Sequence, residues 1–499
     1  MMSVSVRLLV LWTVCVVIGT LAPFDFSLAS GGQGSGFKMF AYGADERDPA
    51  HIALNLALFA PLGAFLHHEG KRRMISVLPI FVVAGTSAFL ISATVEGLQA
   101  FVPVRDSSLV DVLANTGGAV LGVLADTWCG ASVENILHSL RSRTSLTTTA
   151  SLLAVFLGVA LAASAGLQSR ARLSNWSADY PLLIGNEATG DRPWYGRVSA
   201  LTMTDRATDL SSVRRFAESG SLVLTGATVA AFDLTGNPPF ADAIGALPKL
   251  EPTQPLAASD GSASIDGHKW LVSEGPASAF ARRLRRTNAF SLLVQCATDN
   301  TDQDGPARIV SNSVSPWLRN FTLGQQGSDL VFRLRTPGTS LNGYPFELLL
   351  PGVFSDRNPR DILVTYDGAT VLATAAQSNR VSRADLEPGS IMALAIPALN
   401  VRTDELAAYN LLYVTALSLV PAVLIGLLGH NRSDQRMLGA GWALAFSVLL
   451  EVTLAATSGR AFDWTNLVVN AAVAAGVVLF VSVVISRPDV CGARATVRP

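Results

Sequence analysis

Cysteine and charge are the two things this chain of 499 residues has little of. Its four cysteines, Cys15, Cys129, Cys296 and Cys491, are scattered. They show neither the CxxC spacing of a zinc site nor a clustered disulfide framework. Cys296 has no partner in the polar middle of the chain and reads as a buried thiol. Charged residues make up 15% of the chain, against about 25% in an ordinary soluble domain. With a net charge of −1 and no basic stripe, nucleic-acid binding has no support. A P-loop, a dinucleotide fingerprint, a GxSxG elbow and a metal box are also missing, so no metal or cofactor is expected there. What is present in quantity is apolar sequence, and a mean hydropathy of +0.38 points to a membrane protein.

The apolar runs concentrate in residues 1–165 and 405–486, while 170–400 has the composition of a soluble domain. Eight segments approach the roughly 20 residues needed to cross a bilayer. They lie near 7–24, 51–67, 74–99, 108–127, 146–166, 406–429, 437–457 and 465–486. Lys and Arg mark every second loop: Arg7, then Lys71 to Arg73, Arg141 with Arg143, Arg432 with Arg436, and Arg487, Arg494 and Arg498. By the positive-inside rule both termini are cytoplasmic and 170–404 lies outside. Arg7, the run Leu8 to Leu21 and Leu28-Ala29-Ser30 also fit a secretory signal peptide; the expectation is a retained helix.

Two apolar spans end in the same spaced polar set. Glu96, Arg105, Asp111 and Asn115 are matched in register by Glu451, Arg460, Asn466 and Asn470. Ionisable groups at a membrane border are costly, so a repeated set points to a shared site. Helical spacing adds Gln99 to the face of Glu96, and His51 and Asn55 to the outer border of the second span. Asp111, Asn115, Gly118 and Gly122 form one stripe whose Gly-xxx-Gly end permits close helix packing. The set can act as a ligand or catalytic pocket, or as an ion pair with helix caps. The second copy has Asn466 in place of Asp111 and nothing matching His51, so acid–base chemistry would rest with the first.

His51-Ile-Ala-Leu-Asn55, Pro61-Leu-Gly63, Glu96-Gly-Leu-Gln99, Arg105, Asp111-Val-Leu-Ala-Asn115, Gly118 and Leu121-Gly122 together resemble the VanZ-like family. Asp48 with His51 matches the family's frequent Asp-x-x-His. The resemblance covers about residues 1–130, and Glu451 to Asn470 looks like an eroded second hairpin. It implies a small bacterial membrane protein of the cell envelope. The founding member is linked to resistance to a glycopeptide antibiotic of the teicoplanin type, and no agreed reaction comes with the family.

Residues 170–400 alternate short apolar segments with turn steps such as Asp266-Gly267, Asn342-Gly343 and Asp367-Gly368, a β-sandwich pattern. Ile265 to Leu271 with Trp270, Ala307 to Ser311, Arg319 to Gln325 and Val364 to Gly368 resemble laminin-G-like (concanavalin A-like) domains. That resemblance implies carbohydrate or protein binding. Leu183 to Gly196 resembles strands that normally close such a domain, yet here it opens it, as a permuted sandwich would. Exposed aromatic and planar polar groups are natural sugar contacts, which selects Trp194, Trp270, Trp317, Arg319, Asn320, Arg333, Arg335 and Asn342. Trp194 and Trp270 lie in that family's strand pattern, which favours core positions for them. Asp299, Asp302, Asp304, Asp356 and Asp361 offer oxygen ligands for Ca²⁺, but no dense Asp-x-Asp-x-Asp loop occurs. No Glu-x-Asp-x-x-Glu strand supports a glycosidase.

The expected fold class is a polytopic α-helical membrane protein of about eight transmembrane helices with an inserted all-β jelly-roll sandwich. Its parts are a VanZ-like domain at 1–130, a cytoplasmic loop and fifth helix at 131–169 and the sandwich at 170–404. Three helices at 405–486 and a cytoplasmic tail at 487–499 complete it. The expected function is that of a bacterial inner-membrane envelope protein without catalysis. Its sandwich would bind a glycan or protein, and its membrane part would engage lipids or a lipid-linked precursor. Two alternatives stay open: an enzyme acting on a cell-wall or polysaccharide precursor through Glu96, Arg105 and Asp111, and a transporter.

Overall fold

The computed structural model describes residues 4–21, 49–99, 108–143, 145–256, 258–259, 261–396, 399, 401–428, 433–458, 462 and 464–485. Leu28-Ala29-Ser30, Asp48, Arg105, Arg460 and the 487–499 tail lie outside the described residues. The chain divides into a helical unit of Met1–Ala160, Val414–Thr453 and Phe462–Pro499, and a second unit of Leu161–Tyr413 and Leu454–Ala461.

Each of the eight apolar segments is helical: α1 (Val4–Leu21), α2 (Pro49–Arg72), α3 (Val77–Gln99), α4 (Leu109–Arg143), α5 (Leu146–Ser169), α9 (Leu406–Leu427), α10 (Ser433–Ser458) and α11 (Trp464–Ile485). Among the described residues, four stretches are long and apolar enough to span a membrane: Val77–Gln99, Leu109–Arg141, Leu146–Ser169 and Thr403–Leu427. The expected eight spans are therefore met in part. α10 opens on Ser433-Asp-Gln-Arg436, which narrows its apolar stretch to Gly441–Ala456, and that of α11 is Asn466–Ser482. α4 differs from expectation too. It runs on for 35 residues, about 50 Å, through a segment expected to be a loop. Residues 131–143 contain no proline or glycine to stop it.

Within the helical unit α2 and α4 lie in close contact along most of their length. A Cβ on Gly63 would collide with the Ala119 carbonyl, one on Gly118 with that of Leu56, and one on Gly122 with that of Ala60. The glycines let the two backbones touch where a bilayer supplies no hydrophobic drive between helices. Val16, Phe59, Leu62, Ala88 and Ala119 join α1 to α4 in one apolar cluster, and the Trp12 indole N–H donates to the Leu58 carbonyl (2.9 Å). Ala422, Ile425, Ala443, Ala474 and Val478 join α9, α10 and α11, with Leu153 of α5 packed against them.

The second unit is built on two antiparallel sheets. Across the first run β12 (Leu348–Leu350), β11 (Asp329–Leu334), β10 (Leu318–Gly327), β9 (Gln303–Ser315), β1 (Leu182–Ile184), β7 (Leu271–Ser273) and β4 (Leu250–Pro252). Across the second run β15 (Val381–Asp385), β14 (Thr370–Ala375), β13 (Arg360–Tyr366), β8 (Phe290–Thr298), β2 (Gly196–Thr204), β6 (Ser262–Ile265) and β5 (Ala258–Ser259), with β3 (Thr228–Asp233) also paired to β2. β1 and β2, the first strands in the chain, sit mid-sheet between much later ones. Three short helices accompany them: α6 (Leu210–Ser219), α7 (Ser278–Thr287) and α8 (Pro388–Leu394).

Aromatic rings from the strands, from α7 and from the segment before β1 gather in the interior. Trp176 packs on Phe321, Phe290 and Phe280 at centroid distances of 5.8, 5.9 and 6.3 Å, and its indole N–H reaches the Arg335 carbonyl (2.8 Å). Cys296 is buried on β8, and burial pushes its thiol up to about 12. The ends of the unit meet. Gln168 donates to the Leu386 carbonyl (3.1 Å), the Ser164 and Tyr413 hydroxyls lie 2.9 Å apart, and the Gly389 amide donates to Asn410 Oδ1 (3.1 Å).

Candidate functional site

The first polar set is assembled where α4 begins. Ser108 precedes α4, and its Oγ accepts a hydrogen bond from the Asp111 amide (3.3 Å), capping an otherwise open helix end. Its own amide donates to Glu96 Oε2 (2.9 Å), which ties the end of α3 to the start of α4. Asn55 of α2 donates through Nδ2 to Asp111 Oδ1 (2.6 Å). One turn further along α4, Asn115 Nδ2 donates to Ser92 Oγ (2.9 Å) of α3. The Asn115 Oδ1 is buried and has no hydrogen-bond partner among the described residues. Gln99 turns instead to α1, donating to the Thr20 carbonyl (2.8 Å).

Asn55, Glu96, Asp111 and Asn115 thus come from three helices into one neighbourhood, bridged by Ser108 and Ser92. His51 lies in α2, but its side chain, like Arg105, lies outside the described residues. The arrangement is rich in acceptors: two carboxylates and a buried amide oxygen. Glu96 already accepts from the Ser108 amide and Asp111 from Asn55, and Glu96 and Asn115 are buried. In the second copy Glu451 is fully buried on α10, and Asn466 and Asn470 are buried on the first turns of α11. Asn470 Oδ1 accepts from Thr415 Oγ1 (2.8 Å) of α9. Arg460 lies outside the described residues.

Sequence reasoning missed two features. Ser108 is one: Ser108-Leu-Val-Asp111 is an S-x-x-D start signal before an apolar run, and its spacing could have found the cap. The other is a polar group at the far ends of α2 and α4. His67 Nδ1 lies 2.7 Å from Asp126 Oδ2, and His67 Nε2 lies 3.3 Å from Thr127 Oγ1. Thr127 Oγ1 itself donates to the Val123 carbonyl (2.7 Å). Beside it Glu69 is held by Arg72 (2.7 Å) and Arg73 (2.7 Å).

In the sandwich the eight selected side chains scatter. Trp194 is fully buried, with its indole N–H on Gln325 Oε1 (2.9 Å). Asn320 is also buried, accepting from the Ser177 amide (2.8 Å) and donating to its carbonyl (2.7 Å) and to Asn312 (2.6 Å). Arg319 is buried, bonding the Pro316 carbonyl, and Arg335 reaches the Tyr180 hydroxyl (3.2 Å). Arg333 is paired with Glu347. Asn342 shapes a turn by accepting from the Tyr344 amide (3.0 Å). Trp270 is half-buried, its indole N–H without a partner among the described residues, and only Trp317 stands well out of the surface.

Beneath Arg333 lies a charged layer that no motif announced. Arg308 and Glu187 are both buried, 3.6 Å apart, and Ser313 donates to Glu187. Burial pushes Arg308 down to about 10 despite Glu187, and burial together with the nearby Arg308 and Arg333 pushes Arg319 down to about 9. Of the loop aspartates, Asp356 pairs with Arg360 (2.8 Å) and Asp299 with Arg197 (3.5 Å). Among the described residues no three His, Cys, Asp or Glu side chains gather as metal ligands. An open cleft of about 420 Å³ is lined by Pro351, Gly352, Ser355, Arg360, Ser378 and Arg380, none of them among the eight.

No curated protein and no solved structure matches the chain. A family model does match its start, over residues 8–129: the VanZ/LLP1 model. The match ends within α4, three residues beyond Asp126, and so takes in every residue of the first polar set and the His67–Asp126 pair. Residues 8–129 are thus similar to the VanZ-like family.

Proposed function

We propose that this chain is a multi-pass envelope protein of a bacterial inner membrane, with cytoplasmic termini and residues 170–404 outside. Its VanZ-like part holds a lipid-linked, hydroxyl-bearing component of the envelope, and its laminin-G-like sandwich recognises a glycan or protein. The observation that carries the membrane half of this reading is Asn115 Oδ1. This acceptor is buried beside Ser92, with Glu96 and Asp111 close along the same helices. A buried unpaired acceptor costs about 1–3 kcal/mol, which a donor on a bound molecule would offset. The sandwich half is supported by the open cleft at Arg360 and Arg380, whose size falls in the range of small-ligand sites, about 300–1,000 Å³.

Native mass spectrometry of the full chain, extracted with its own lipids, tests this reading. We expect a retained lipid-linked adduct that Asn115→Leu abolishes while Ser92→Ala leaves it at least partly bound. An adduct-free wild-type protein, or an adduct indifferent to Asn115, would count against it. The enzyme reading keeps one specific support: the Glu96 carboxylate accepts from the Ser108 amide at the start of α4, and the Asp111 carboxylate stands in the first turn of the same helix. Conversion of the bound component by the wild type, lost in Glu96→Gln without loss of binding, would select it.

A further inference from the structure

The sandwich carries an apolar rim where its chain leaves the membrane helices. Trp317 is 73% exposed at the turn between β9 and β10, and Leu318 beside it is also exposed. Leu341 and Tyr344, 51% and 52% exposed, stand on the loop after β11. The two loops are joined, since the Arg319 amide donates to the Leu341 carbonyl (3.1 Å). The second loop is tied to the end of a membrane-length helix. The Gly338 amide donates to the carbonyl of Arg170 (2.8 Å), the residue that follows α5. Ile391 of α8 packs against Gly338, and α8 and the residues after it expose Met392 and Ile396. α8 is itself fixed to the start of α9, because Ser390 Oγ donates to the Leu406 carbonyl (3.0 Å).

Large exposed apolar side chains are ordinary when scattered. Here an exposed Trp, Tyr, Leu, Met and Ile stand on short loops and a helix that are hydrogen-bonded to the end of α5 and the start of α9. Both belong to the four stretches long enough to span a bilayer. Tryptophan and tyrosine favour the interfacial layer, where the ring is apolar and its N–H or O–H stays wet. Arg170 and Arg172, both exposed at the same place, add attraction to anionic headgroups. We propose that this rim is a membrane-docking surface: Trp317, Leu341, Tyr344, Met392 and Ile396 rest in the headgroup layer of the bilayer that α5 and α9 cross.

The test uses the full chain in vesicles containing phosphatidylglycerol, with a nitroxide at Trp317→Cys or at Tyr344→Cys. Cys15, Cys129 and Cys491 are replaced by serine, and Cys296 is too buried to react. Asp302→Cys is the control. It is exposed at the opposite end of β9, a strand of 13 residues spanning about 40 Å. Docking predicts that labels at 317 and 344 meet dissolved oxygen more readily than a water-soluble nickel chelate, with the order reversed at 302. A preference for nickel equal to that at 302 would overturn the proposal. So would a label shielded from both reagents, which would place a protein partner on the rim. Neither result depends on the ligand of the VanZ-like domain.

Discussion

Ser108 shows how much one small residue organises at a membrane border. Its hydroxyl caps α4 and its amide fixes Glu96, so two helices and a carboxylate share a single joint. Asp209 plays the capping part in the sandwich. Its carboxylate is held well below the usual range by the hydroxyls of Ser211 and Ser212 and the Ser212 amide, at the start of α6. A depressed pKa stabilises above the unfolded value near 4 and is lost as pH falls through the folded one. Asp209→Ala should therefore cost about 1 kcal/mol at neutral pH. In hydrogen exchange the α6 amides would open roughly five-fold more often, and the difference from wild type should begin to shrink as pH drops below 4 and vanish only below the depressed folded value. The His67–Asp126 pair is a second residue-scale case. His67→Leu alone should destabilise the helical unit by about 3 kcal/mol, since it strands a largely buried carboxylate. His67→Leu with Asp126→Leu should recover much of that in detergent unfolding; a double-mutant loss equal to the sum of the two single losses would show that the two are uncoupled.

Among the elements, α2 and α4 form the tightest contact, and the reason is the absence of side chains at Gly63, Gly118 and Gly122. Polar pairs stand at both ends of this contact, Asn55 with Asp111 and His67 with Asp126. Gly122→Leu should push the helices apart and lose several kcal/mol, read as reduced yield of folded protein in detergent. Gly97→Ala on α3 meets nothing within 4 Å and should be tolerated. The Gly118-xxx-Gly122 contact was legible in the sequence because backbone approach demands that residue type at that spacing. The length of α4 was not, because hydropathy marks where a helix leaves the apolar layer and not where its hydrogen bonds stop. The sugar-contact candidates show the same limit. Trp194 and Asn320 belong to residue types that bind ligands on surfaces, yet both are sealed inside by partners more than 100 positions away.

The whole molecule is a helical unit and a two-sheet unit whose chain ends come together at Gln168, Leu386 and Tyr413. Loop charge alone assigns the sides. A membrane-impermeant maleimide should therefore label Asp302→Cys in intact spheroplasts without lysis, and labelling only after lysis would reverse the topology. Composition and periodicity by themselves determined the apolar segments, the soluble insert, the glycine contact and the polar set at the border of α3 and α4. These are local properties, since solvent preference and helical spacing act within a few turns of chain. Tertiary structure alone decided which groups meet: Glu96 with Ser108, His67 with Asp126, Arg308 with Glu187 deep in the sandwich. Such pairings join positions far apart in sequence, and a charge or a hydroxyl carries no mark of its partner until packing brings the two within 3 or 4 Å.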